Sequence, residues 1–175
     1  MDWPYLHTLI NHFPIILNVV GFAVLIFALF KKSRGVWLYA VATLTLAGLS
    51  AYPAFFTGDQ AAHALRGVWY IVRESVHAHD ESAGYALTML LITGAVSAFA
   101  WWHMLRRNVT ELPPAWLRTT LVVLAALTLA VVTRTAYLGG KIVVDSPMLL
   151  HPPADVAPDS LIPRPAGGSD STARN

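Results

Sequence analysis

Four long apolar runs constrain this chain more than anything else in it. Roughly Leu9–Phe30, Val36–Phe56, Ala83–Met104 and Ala115–Leu138 each reach the length of about 20 residues that crosses a bilayer's hydrocarbon core. No water satisfies the backbone there, so such runs must be helices. Composition agrees: 55% of the 175 residues are hydrophobic and only 13% are charged, with a mean hydropathy of +0.53. The fold class expected is all-α, an integral membrane four-helix bundle over residues 1–144, followed by an extramembrane tail over 145–175.

Charge sets an expected orientation. The loops after the first and third spans carry Lys31, Lys32, Arg34, Arg106 and Arg107, with Arg118 just inside the fourth span and Glu111 as their one acid. The other side has as many cations but nine acids, on longer segments. Short basic loops stay in the cytoplasm, so both termini are expected outside, in the periplasm of a bacterial inner (plasma) membrane. Trp3 and Trp69 fall at the outer boundary, and Trp37, Trp101, Trp102 and Trp116 at the inner one, as an aromatic belt would place them. Met1-Asp2-Trp3-Pro4 puts no basic region ahead of the first apolar run, so that run is expected to stay as an anchor.

Between the second and third spans, Ala61, Ala62, Leu65, Val68, Trp69, Val72 and Val76 recur at helical spacing among Arg66, Arg73 and Glu74. This predicts an amphipathic interfacial segment lying over the bundle as a lid. Small residues four apart, Ala47 with Ala51, Gly94 with Ala98 and Ala126 with Ala130, are expected at helix contacts inside the bundle. The tail holds six of the eleven prolines and no aromatic residue. Such a segment cannot bury a core, and it is expected to contact a periplasmic surface of a partner. Ala51-Tyr52 before Gly58 echoes Ala136-Tyr137 before Gly139-Gly140, too faintly to establish an internal duplication.

The chemistry concentrates in histidine. Six of seven histidines fall on the expected outer side. His12, beside Asn11 and ahead of Phe13-Pro14, is the leading candidate for ligating a cofactor, and the proline predicts a kink or helix start there. His7 lies five residues earlier, about 140° around an ideal helix. Asn18 shares a face with Asn11 and extends a polar stripe that should point into the bundle. His79 and His77 precede Asp80 and Glu81, and an acid beside an imidazole strengthens it as a ligand. His63 belongs to the expected lid. Arg134, near the outer end of the fourth span, is a candidate partner for Asp59, Asp80, Glu81 or a haem propionate. His103 reads as a boundary residue of the inner side, while Met148 and His151 in the tail have only residue type in their favour.

Cysteine is absent, which excludes disulfides, thiolate-held iron–sulfur clusters and c-type haem attachment. No HExxH, P-loop or nucleophile elbow marks an active site, the mid-spans are too apolar for a typical transporter site, and a net charge of +2 forms no basic stripe for nucleic acid. Two readings follow. One is b-type haem or a His-ligated metal held by His12 and His79, with His7, His63 or His77 as alternates, in an electron-transfer setting. The other is a cofactor-free accessory subunit of a larger respiratory or photosynthetic membrane complex, its histidines serving as interhelical hydrogen bonds.

Four motifs in order, His7-x4-His12-Phe13-Pro14, Thr57-Gly58-Asp59-Gln60-Ala61-Ala62, His79 followed by an acid, and Thr133-Arg134-Thr135-Ala136-Tyr137-Leu138-Gly139-Gly140-Lys141-Ile142, resemble the domain-of-unknown-function 2231 family. The resemblance covers about residues 5–142 and implies a small bacterial four-helix membrane protein. It brings no settled activity, though some members are joined to Rieske-type domains. The family usually has His-Glu where this chain has His79-Asp80. It often places a histidine and a glutamate after the Gly-Gly pair, where Val143-Val144-Asp145 stand here.

Overall fold

The structure is a computed structural model and describes residues 3–66, 68, 71–106 and 112–146. All regular structure among them is helical: α1 (Trp3–Ile10), α2 (His12–Lys31), α3 (Arg34–Ala64), α4 (Arg73–Arg106) and α5 (Ala115–Asp145). By length and composition four helices can cross a membrane, with α1 and α2 forming one of them, Trp3–Lys31. The four pack in a ring, α2 on α3, α3 on α4, α4 on α5 and α5 back on α2, while α1 leans on α3.

The break between α1 and α2 falls at Asn11. Its N–H still reaches the His7 carbonyl at 2.9 Å, but Pro14 has no N–H to offer Ile10, and the ladder weakens there. The turn after α2 closes on Lys32 in the left-handed region, φ 47°, with its N–H on the Ala28 carbonyl.

The bundle has two unlike halves. Away from the histidines its interior is filled by Leu25, Trp37, Leu44, Met104, Leu117 and Leu121, all essentially inaccessible. Toward the histidines the core shrinks to Ala47, Ala51, Ala86, Leu90 and Val132. Between them α3 and α4 touch through Gly48 and Gly94, where a methyl on Gly48 would come within 2.9 Å of both the Gly94 Cα and the Leu90 carbonyl oxygen. On the α4–α5 seam hydroxyls pair along the helices: Thr93 with Thr128 at 2.7 Å and Ser82 with Thr135 at 2.8 Å. At its end Ser75 donates to Asp145, which Lys141 also approaches at 3.8 Å.

Three expectations change. Among the described residues the expected lid forms no separate helix: Thr57–Ala64 continues α3, and Arg73–Ser82 is the first part of α4. Ala61, Ala62 and Val76 keep their helical spacing inside those helices, whereas Leu65, Val68 and Val72 fall in the connection between them. Ala126 and Ala130 are exposed on the outside of α5, so small-residue spacing there does not mark an internal contact, whereas Ala47, Ala51 and Gly94 are buried. Trp37 is fully buried, so it fills the bundle end instead of joining the aromatic belt; Trp101, Trp102 and Trp116 are exposed as a belt requires. Trp69, and the tail beyond Ser146 with Met148, His151 and its expected partner contact, lie outside the described residues.

Candidate functional site

A carbonyl inside a helix points toward the residue four positions on, whose side chain normally screens it from a neighbouring helix. Glycine at that position opens the way. This happens twice at the histidine end. His7 Nδ1 lies 3.1 Å from the Ala54 carbonyl oxygen of α3 and 3.3 Å from Thr57 Oγ1. Its ring rests on Gly58, where an added Cβ would meet the ring at 2.9 Å. His79 Nδ1 lies 3.0 Å from the Thr135 carbonyl oxygen of α5, and its ring rests on Gly139, where an added Cβ would meet it at 3.1 Å.

A carbonyl only accepts, so in each ring Nδ1 carries a proton, and in the neutral ring Nε2 then holds the lone pair. That is the tautomer a metal-ligating histidine needs, with the other nitrogen tied to a backbone oxygen. Both rings are half-buried at the mouth of the alanine-lined half of the bundle.

The other candidates sit differently. His12 is exposed and turns Nδ1 back to the Thr8 carbonyl of its own chain turn, at 2.8 Å. His63 does the same with the Asp59 carbonyl, at 2.8 Å, and lies 3.5 Å from the Asp59 carboxylate. His77 and Arg134 are exposed, and Arg134 pairs with no described acid. At the far end His103 packs against Phe99. Among the described residues no three His, Asp or Glu side chains form a group that could hold a metal ion.

Sequence reasoning gave the glycines no role, although Gly58 and Gly139 both sit in motifs it quoted. Their signal is a glycine four residues after a carbonyl that a histidine must reach. The polar stripe was legible: Asn18 is fully buried, and neither its Oδ1 nor its Nδ2 has a partner, as with Asn11 Oδ1 above it. An unpaired buried amide costs about 1–3 kcal/mol. Asn18→Leu, which keeps the branched shape and removes both polar atoms, is therefore expected to raise the denaturation midpoint of the purified chain. A lowered midpoint would mean that the amide is bonded to water or ligand in the working protein.

Comparison with protein-family models, with curated proteins and with solved structures gives no match.

Proposed function

We propose that this protein holds a b-type haem at the histidine end of the bundle, where His7 and His79 would ligate its iron, in a bacterial inner membrane with that end facing the periplasm. The observation that carries the reading is the pair of imidazoles, each anchored through Nδ1 to a carbonyl of the neighbouring helix, with Nε2 bonded to no described residue. Two such donors would serve to hold haem iron in a helix bundle. A closed zinc site asks for four ligands, and the described residues offer no such group.

Below the rings the core is apolar, Ala47, Ala51, Ala86, Leu90 and Val132 with Ile15, Leu17, Leu87 and Val131 against it. When bound, haem supplies one-electron chemistry; the chain's part is to fix ring orientation and keep a low-dielectric pocket around it. The quoted motifs support the same reading, since four separate stretches supply two contacts of one kind, His7 with Thr57 and Gly58 and His79 with Thr135 and Gly139. Orientation rests on the opposite end, where Arg34 donates to the Met104 carbonyl, Arg106 lies over Trp102 and Lys31 over Phe27, as basic cytoplasmic edges do.

The test is an absorption spectrum with elemental analysis of the chain purified from a haem-replete membrane. A Soret band with one iron per chain is expected. A colourless, iron-free protein that also takes up no added hemin ends the haem reading.

A further inference from the structure

The two halves of the histidine site are built alike, down to the spacing. His7 reaches the carbonyl of Ala54 and lies on Gly58, and His79 reaches the carbonyl of Thr135 and lies on Gly139; in both, the glycine is four residues after the carbonyl. A shift of 72 residues carries His7 onto His79. A shift of 81 carries Ala54 onto Thr135 and Gly58 onto Gly139.

Histidines and glycines alone fix those shifts, so burial is an independent check on them. Under the first, the buried residues of α2, Pro14, Asn18, Gly21, Leu25 and Ala28, fall on Ala86, Leu90, Thr93, Ser97 and Ala100, and all five are buried in α4. Under the second, read from α5, four of its five buried residues, Leu121, Ala125, Thr128 and Val132, fall on Ala40, Leu44, Ala47 and Ala51, all buried in α3, whose wider buried face also holds seven residues without a buried counterpart. One stripe would fall into register at roughly one shift in four, by the 3.6-residue turn. Here two stripes do so together. Ring packing follows the same relation, with α3 on α4 and α5 on α2.

We infer that the chain is one helical hairpin used twice, and that His7 and His79 are the two halves of a single site gripping one ligand between equivalent imidazoles. The inference rests on reading the histidine end as a ligand site and names its symmetry. Both hairpins start at the same end, so the axis relating them runs along the bundle, as in transporters with parallel repeats. A ligand on that axis meets one nitrogen lone pair from each side. Gly58 and Gly139 are positioning residues, since they set where each ring lies. The two hairpins also differ: the break at Asn11 has no equivalent in the continuous α4, and Asn18, the counterpart of Leu90, gives one side a buried polar group that the other lacks.

The experiment uses the full chain in lipid nanodiscs. Nitrogen-15 NMR of labelled histidine, without ligand, is expected to show both His7 and His79 as the Nδ1–H tautomer. Hemin titration is expected to saturate at one per chain. His7→Ala and His79→Ala should each weaken hemin binding on the order of tenfold or more, and by comparable amounts. Gly58→Ala and Gly139→Ala should each move the Soret band. Gly140→Ala should not, because nothing lies within 4 Å of the added methyl. Helical circular dichroism of each variant separates loss of the site from loss of the fold.

Either ring found as the Nε2–H tautomer overturns the twofold site. So does a hemin spectrum that changes with only one of the two histidine variants. Failure to bind hemin with both tautomers as expected sinks the haem reading but leaves the twofold pair standing.

Discussion

A chain carrying His7→Ala and His79→Ala together is expected to purify without a Soret band, whereas one carrying His12→Ala, His63→Ala and His77→Ala together keeps it. All five histidines belong to the same end of the molecule, so residue type and topology do not separate them. Anchoring does. His12 and His63 spend their Nδ1 on carbonyls of their own helical turns and stand exposed. Nothing from another helix fixes their direction. His7 and His79 are each tied to the adjacent helix, a bond worth about 1 kcal/mol within a membrane, and seated on a glycine. Spectra of the two multiple variants, recorded beside their circular dichroism, decide it. A Soret band that survives in the double variant and vanishes in the triple one would move the site to the exposed histidines.

The second large effect is on stability. Gly48→Leu is expected to separate α3 from α4 and to cost more than the roughly 1–3 kcal/mol usual for overpacking a core. The reason is that the added atoms meet backbone: the Gly94 Cα and Leu90 carbonyl oxygen lie 2.9 Å from a Cβ on Gly48. No rotamer change relieves a clash with two main chains. Gly21→Leu is the matched control. A Cβ there meets the Leu44 side chain at 2.7 Å, and a leucine can turn aside, so its loss should be smaller. Thermal unfolding in detergent, followed by circular dichroism, ranks the two. Equal midpoints would show that close approach of α3 and α4 is not what holds the bundle.

The spans were legible because about 20 apolar residues in a row leave a backbone no alternative to a helix. Their ends were not. Ala61, Ala62, Leu65 and Val72 keep a helical period across the membrane boundary, and periodicity alone cannot separate a lid from two helices that simply run on. Asn18 was legible as an inward-facing polar residue, since a polar group in lipid has nowhere else to go. The histidine pairing was hidden for a different reason. His7 and His12 are five residues apart across the break at Asn11, and which one faces the bundle depends on helix rotation set by packing. Ala126 and Ala130 show the converse, a spacing suited to contact on a face where none of the chain's own helices sits.

The unequal halves of the core carry one more consequence. Trp37, Leu25, Leu44, Met104, Leu117 and Leu121 fill the bundle below its alanine-lined half. On the proposed function, a ligand held by His7 and His79 would therefore arrive and depart at the histidine end alone, with that plug between it and the opposite end of the bundle.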